Sequence, residues 1–261
     1  MHNPESDHFV DRDDLVPGVS IDCVVFGYHN KVLHVLIMKY FDSNAWALPG
    51  GFLPKDKEMK TVASEVLADR AGVSDVFFQQ LFTFDSLNRG WDCNELSQKT
   101  LSGVLNRFTP EERENLASIF KQRYVSTAYF ALVNSNEVIP KPDSLSEKCE
   151  WVAVSELPPM VLDHELMVNK ALERLRIQLN YLPIGRSLLN EKFTMSDFQS
   201  LYESILQRKL DRGNFQRKIL KLNILIRHEK LMTGAQNKAP YLYSINNAVY
   251  DELLKSGIGF M

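Results

Sequence analysis

GGFLPKDKEMKTVASEVLADRAGV, residues 50–73, is the stretch on which the reading of the N-terminal fold turns. A glycine pair leads into a charged loop, a run of helical length follows, and Ala71-Gly72-Val73 closes it. Val62, Val66 and Leu67 recur on one side of that run, as expected for a helix over 59–71 with a buried face. Positions 66, 69 and 70 stand at i, i+3 and i+4 and therefore share another helix face. Carboxylates at those three positions would hold a hard cation through oxygen ligands. Here they are Val66, Asp69 and Arg70, one apolar residue, one acid and one fixed positive charge. Glu65 and Asp69, also one turn apart, are the remaining pair able to offer oxygens, with Arg70 opposing them.

The flanking segments supply the fold. "VSIDCVVFGYHNKVLHVLIMKYF" (19–41) reads as two strands around a bend at Asn30, with apolar residues alternating. "WALPGGFL" (46–53) reads as a short strand broken by Pro49-Gly50-Gly51. "VSTAYFALV" (125–133) and "CEWVAV" (149–154) are strands, and "DHELMVNKALERLRIQLN" (163–180) is a helix with Asp163 at its N-cap. Strands mixed with a few helices imply an α/β sandwich for residues 1–180. Residues 92–121 form an inserted segment, in which Thr109, Pro110 and Glu112 mark a capped helix start. We expect this insertion to be a surface excursion that overhangs a cleft or extends a dimer contact. "YLPIGRSL" (181–188) reads as a linker, because Pro183 and Gly185 interrupt the helical pattern.

Composition excludes several classes. The 261 residues have the apolar and charged fractions of an ordinary soluble protein. No apolar run approaches the ~18 residues of a membrane helix, and the polar, acidic N-terminus lacks the pattern of a signal peptide. Cys23, Cys93 and Cys149 are far apart and odd in number, so neither a disulfide framework nor a zinc site is expected. A reducing cytoplasm is the simplest home. The net charge of −3 is unevenly divided: residues 184–261 carry 12 Lys and Arg against 7 Asp and Glu, and residues 1–183 carry 18 against 26. Opposite signs suggest two modules, with a polyanion as partner of the basic one.

That basic module has its own pattern. "FTMSDFQSLYESILQRKLDRGNFQRKILKLNIL" (193–225) contains two helical runs. Thr194, with Asp197 three residues on, caps the first, whose apolar stripe is Phe198, Leu201, Tyr202 and Ile205. Asp211 caps the second, whose buried positions are Phe215, Ile219 and Leu222. At 100° per residue, Gly213, Asn214, Arg217 and Lys221 lie opposite them, with Gln216 and Lys218 on the flanks and Arg212 at the helix start. "HEKLMTGAQNKAPYLYSIN" (228–246) then reads as two short strands around a turn. Helix-turn-helix followed by a hairpin is a winged helix. Its outward donors suit base edges in a major groove, while Lys230, Asn237 and Lys238 would meet phosphates or the adjacent minor groove.

Two resemblances join these readings. Spaced from Gly51, residues 50–73 resemble the Nudix box, with Lys57 in the first glutamate position, Glu65 in that of the arginine, and Val66, Asp69 and Arg70 in those of the later glutamates. Gly51, Leu67, Gly72 and Val73 keep the framework. The whole chain resembles the bacterial Nudix-related transcriptional regulators: an α+β protein with a Nudix α/β/α sandwich (1–180) followed by a winged helix-turn-helix domain (184–261). "EVLADRAGV" is closer to the branch with a degenerate box, which looks responsive to a pentose such as arabinose; other relatives respond to ADP-ribose. The resemblance implies a cleft with basic Lys39 and Arg89 facing it. His164 is a candidate donor to a ligand hydroxyl, although a single His near a helix start is more often structural. Trp46 and Phe84 are candidates for a stacking surface, or for core.

The function expected is a ligand-responsive DNA-binding regulator, without cofactor, acting as a homodimer on a double-stranded operator and sensing a pentose or an ADP-ribose-like metabolite. The degenerate box argues against catalysis. The alternative is a Mg²⁺-dependent Nudix hydrolase of nucleoside diphosphate derivatives with an auxiliary nucleic-acid-binding domain, and a third reading makes the first domain a ligand-free dimerisation module.

Overall fold

The computed structural model describes residues 11–72, 77–179, 185–232 and 239–256. Its first sheet starts from a long hairpin, β1 (Leu15–His29) and β2 (Val32–Tyr40). Asn30 and Lys31 between them both have positive φ, 47° and 64°, the twist that suits a two-residue antiparallel turn. β3 (Trp46–Ala47), β4 (Gly50–Pro54), β5 (Phe77–Phe84), β6 (Val125–Val133) and β7 (Ser146–Ala153) complete the seven strands. The path is β3-β2-β1-β6-β5, with β4 on β1 and β7 on β2. β1 and β6 run parallel, and the other pairs are antiparallel. The glycine pair expected to break a strand lies within β4, because Gly50 is paired with Asp22 of β1. No alternation marks β5 in the sequence, and as an edge strand it leaves Phe82 exposed.

Helices cover both faces of this sheet. α1 (Met59–Ala71) has the bounds expected and ends at Gly72, whose φ of 65° is the left-handed conformation a helix stop favours. Its Val62, Ala63, Val66 and Leu67 pack on Ile21, Cys23 and Val25 of β1. α4 (His164–Gln178) puts Met167, Val168, Ala171, Leu172 and Leu175 against Val24, Phe26 and Tyr28 on the opposite face. This period-two division makes β1 an almost continuous apolar run. Asp22 is the polar exception, and it lies at the candidate site.

The insertion contains two helices, α2 (Glu95–Leu105) and α3 (Pro110–Phe120). α3 has the expected capping box between Thr109 and Glu112, while α2, unexpected, is capped by the Asn94 side chain accepting from Ser97 N at 2.8 Å. The insertion reaches the cleft through Phe120, as expected of an overhang, but it is also part of the core and not only a surface excursion. Leu101, Val104 and Leu105, at i, i+3 and i+4 on α2, bury with Phe120 against Tyr40, Ala45, Ala47 and Val161 as a third core.

The C-terminal domain is a helix-turn-helix closed by a three-stranded sheet. Its elements are α5 (Gly185–Leu188), β8 (Phe193–Thr194), α6 (Met195–Leu206), α7 (Arg212–Lys221), β9 (Leu225–Lys230), β10 (Tyr241–Ile245) and α8 (Asn247–Ser256), with strand order β8-β10-β9. Both expected caps are present: Thr194 and Asp197 form a capping box, and Asp211 accepts from Asn214 N at 2.8 Å. Leu222 is the half-buried C-cap of α7 rather than a core position, and Ile224 fills the core just after it. Glu203 fixes the turn between the helices by accepting from Leu210 N at 2.9 Å, from Gln199 at 3.0 Å and from Lys209 at 3.1 Å. These donors, the Leu210 N–H first, hold its carboxyl down at about 2. The expected domain boundary at 180–184, and Asn237 and Lys238 in the wing, lie outside the described residues.

The two domains share one apolar core. Tyr28, Leu33, Leu172, Leu175 and Leu179 of the first continue into Phe193, Phe198, Leu201, Tyr202 and Ile205 of the second. Polar contacts pin the junction: Leu33 N donates to Ser204 Oγ at 2.7 Å, and Arg176 Nε donates to Ile205 O at 2.9 Å. Phe198 is fully buried in this core. Phe198→Ala should therefore cost about 3–5 kcal/mol. All three tryptophans lie in the first domain, at 46, 91 and 151. A urea titration followed by their fluorescence should show that domain losing stability too; an unshifted tryptophan transition would mean that the domains unfold independently.

Candidate functional site

A cleft opens beside the polar step in β1. Ser20 and Asp22 lie in it with Gly50, Gly51 and Phe52 of β4. A Cβ on Gly50 would come within 2.5 Å of Asp22 Oδ1 and 2.7 Å of Ile21 O, so β4 approaches the carboxylate only because this residue is glycine. Trp91, Phe120 and Tyr124, around the inserted helices, form an aromatic wall. They stack edge to face, Trp91 on Phe120 at 5.4 Å and Phe52 on Phe120 at 5.3 Å. Sequence reading missed this wall. Trp46 and Phe84, the expected stacking candidates, do not line the cleft and pack with the core.

Asp22 is buried, and its charge is answered at close range. Arg89 Nη2 donates to Asp22 Oδ2 at 3.1 Å, and Arg89 Nε donates to both Asp163 oxygens at 2.9 and 3.1 Å. Ser126 Oγ donates a further bond to Asp22. Asp163 does hold the N-cap position of α4, but its side chain makes no capping bond; the carboxylate is taken by Arg89. His164 Nδ1 accepts from Leu48 N at 2.9 Å, so the neutral ring carries its proton on Nε2. That atom stands 3.6 Å from Asp22 Oδ1, too far for a hydrogen bond, and has no other partner. Burial, the largest influence, pushes the His164 pKa down from its ordinary value of 6.5 against the pull of Asp22.

The structure brings Arg89 and His164 together at the cleft and leaves Lys39 out. Met38 and Tyr40 point into the cleft, so the pleat turns the intervening Lys39 to the other face of β2. There it pairs with Glu147 at 2.5 Å.

The box residues do not fit the Mg²⁺ or Mn²⁺ that the resemblance implies. Val66 is packed in the core between α1 and the sheet. Both oxygens of Glu65 receive Lys57 Nζ at 2.9 Å, so that carboxylate already has a cation of the chain beside it. Arg70 pairs with Asp143 at 3.5 Å. Among the described residues no group of three or more His, Cys, Asp or Glu is placed to hold a metal.

The second candidate site is the outward face of α7. Phe215 and Ile219 are buried, whereas Arg212, Gly213, Asn214, Arg217, Lys218 and Lys221 are exposed and Gln216 is half-buried. Arg217 Nη2 donates to Asn214 Oδ1 at 2.6 Å, which orders the guanidinium before any ligand arrives. Leu220, 41% exposed, belongs to the same face although it carries no donor; an apolar side chain there suits a thymine methyl. On β9, Arg227 and Lys230 both lie over the Tyr241 ring, at 4.8 and 5.4 Å from its centroid.

The architecture is therefore a Nudix-like sandwich followed by a winged helix, and comparison with known proteins agrees. Residues 185–245 match the NrtR DNA-binding winged helix domain. The chain is similar to the ADPR responsive transcriptional repressor NtrR of Acinetobacter baylyi, 24% identical over 219 residues that cover 80% of this chain and 74% of the relative. Among solved structures it resembles NrtR of Shewanella oneidensis complexed with a 27mer DNA, with a TM-score of 0.66 and 22% identity over 89% of this chain and 95% of that one. A MutT/nudix family protein of Enterococcus faecalis matches with a TM-score of 0.61 and 16% identity over 94% and 90%. The resemblance to NrtR-like, Nudix-related transcriptional regulators thus extends over both domains.

His164 gives the cleft a pH signature. Its folded pKa lies below the unfolded one, so the stability it contributes is complete above about 6.5 and is lost as pH falls below that value. Urea midpoints at pH 7.5 and pH 5.0 should fall more for the parent than for His164→Gln, whose amide oxygen can still accept the Leu48 N–H. Equal falls would show that another group is responsible.

Proposed function

We propose that this chain is an effector-responsive transcriptional regulator whose Nudix-like domain (residues 1–180) binds a small metabolite without cleaving it. Its winged helix (residues 184–261) binds a double-stranded DNA operator. The observation that carries the reading is the pairing of two features in one molecule. The metal face of the box holds a core valine and an ion-paired arginine, and an exposed, basic, pre-ordered helix face lies in the other domain. Phosphoanhydride hydrolysis in this fold needs a metal to polarise phosphate and activate water, and Val66 and Arg70 oppose it. The alternative of a Mg²⁺-dependent hydrolase is disfavoured on the same ground.

ADP-ribose is the effector we favour. The curated relative is named for its response to ADPR, and a pentose finds no support among the relatives reported above. Action as a homodimer in the cytoplasm is part of the proposal, because two recognition helices on half-sites about 34–36 Å apart give a winged helix its register on DNA. α4 supplies a route for the signal. His164 at its start lines the cleft, Asp163 just before it holds the cleft residue Arg89, and Arg176 near its end holds the last turn of α6.

The test is a fluorescence titration of a duplex from the protein's own upstream region, with and without ADP-ribose. ADP-ribose should change the duplex affinity by about 5–150-fold, and no ADP-ribose should be hydrolysed with Mg²⁺ or Mn²⁺. Arg217→Ala should cost about 1–3 kcal/mol on that duplex and relax selectivity at one base pair per half-site. Lys230→Ala should weaken specific and random duplexes alike and flatten the salt dependence. An Arg217→Ala variant as tight and as selective as the parent would remove α7 as the recognition helix; turnover of ADP-ribose at about 1 s⁻¹ or faster would establish the hydrolase.

A further inference from the structure

The box places Arg70 where the resemblance calls for a carboxylate ligand of Mg²⁺. Its surroundings suit an anion-binding group better than a purely structural one. Its only ion pair among the described residues is a single contact to Asp143, Nη2 to Oδ2 at 3.5 Å, longer than a good charge-assisted hydrogen bond. Its Nε is buried and has no hydrogen-bond partner. Asp143 itself lines the cleft, and Tyr40, another cleft residue, lies close enough to feel both charges.

Three other cations, Arg89, Lys57 and Lys39, are engaged more tightly. Arg89 is 4% exposed and is held by two carboxylates at 2.9–3.1 Å. Lys57 is bound to both oxygens of Glu65, and Lys39 is bound to Glu147 on the other face of β2. Arg70 stands behind the cleft-lining Asp143, with a long ion pair to it and a donor that has no partner. A guanidinium is planar, permanently charged and matched to phosphate oxygens by its fork of donors. It can therefore bind a diphosphate with no metal present.

We infer that Arg70 takes the place of the metal: it binds the diphosphate of the effector directly, and Asp143 is the internal counter-ion that the ligand displaces. The inference rests on the proposed reading of the first domain as an effector-binding domain, and it adds how that domain recognises a diphosphate. No bond is made or broken in the exchange; one carboxylate leaves the guanidinium and one phosphate arrives. Because the competing carboxylate belongs to the protein, the two side chains should have opposite effects on affinity. A purely structural pair, in which Arg70 favours the C-terminal end of α1 and ties down Asp143, would instead lose stability on either change without that contrast.

The experiment is calorimetric titration of the full chain with ADP-ribose and, separately, with inorganic pyrophosphate, each in EDTA and again in Mg²⁺. The parent should bind both ligands in EDTA. Arg70→Gln should weaken both by about tenfold or more, Arg70→Lys should recover part of the loss, and Asp143→Asn should tighten both. Duplex binding, which uses the other domain, shows that each variant is folded. Pyrophosphate bound in this pattern without ADP-ribose would uphold the role of Arg70 and overturn ADP-ribose as the effector. ADP-ribose bound only in Mg²⁺, or bound equally by Arg70→Gln, would overturn the inference and leave the effector reading in place. Failure of both ligands to bind in EDTA would also overturn it.

Discussion

Everything around the cleft is arranged about one buried charge, the carboxylate of Asp22 in the middle of an otherwise apolar strand. A lone carboxylate in such a place would be expensive, so it has to be paired and hydrogen-bonded. Arg89 supplies the countercharge, Ser126 a hydroxyl, and Gly50 the space. Arg89 then needs a second acid for its other arm, and Asp163 provides it from the first turn of α4. One electrostatic requirement thus aligns β1, β4, β6 and the start of α4, and brings His164 to the same spot.

The same packing continues into the winged-helix domain. α4 buries its apolar stripe on the sheet, and its last turns meet α6 in a core that the two domains share. The same helix carries Asp163 at one end and Arg176 near the other. α4 thus joins the edge of the cleft to the helix-turn-helix as one packed element. The inserted helices close the other side of the cleft, with Ser97 accepting from Leu162 N at 2.9 Å beside the start of α4.

The framework positions of residues 50–73 serve the fold whatever the helix face at 66, 69 and 70 carries. Gly51 sits in β4, Leu67 packs in the core and Gly72 ends α1 in the left-handed conformation. Val66 is in the core, and Lys57 and Glu65 form a surface pair at 2.9 Å.

Much of this was legible in the chain. Helix starts were marked by local chemistry: Thr109 with Glu112, Thr194 with Asp197, and Asp211 all cap as their spacing predicts, because a cap depends on residues three apart. The 59–71 helix and the 125–133 strand followed from apolar periodicity, and the outward face of α7 from 100° per residue. Long-range partners were not legible. Asp163 occupies an N-cap position, yet its carboxylate goes to Arg89, 74 residues away in the chain. Lys39 alternates correctly in β2, but which face of β2 borders the cleft depends on how β4 and the insertion pack. α2 lacked the capping-box signal of α3 and is held by apolar contacts to distant strands. The sequence by itself determined most of the elements, the caps at Thr109, Thr194 and Asp211, and which residues stand at 66, 69 and 70, since those are set by neighbours along the chain. The tertiary structure alone decided which charges are paired closely, like that of Arg89, and which loosely, like that of Arg70, since pairing depends on what the fold brings within about 3 Å.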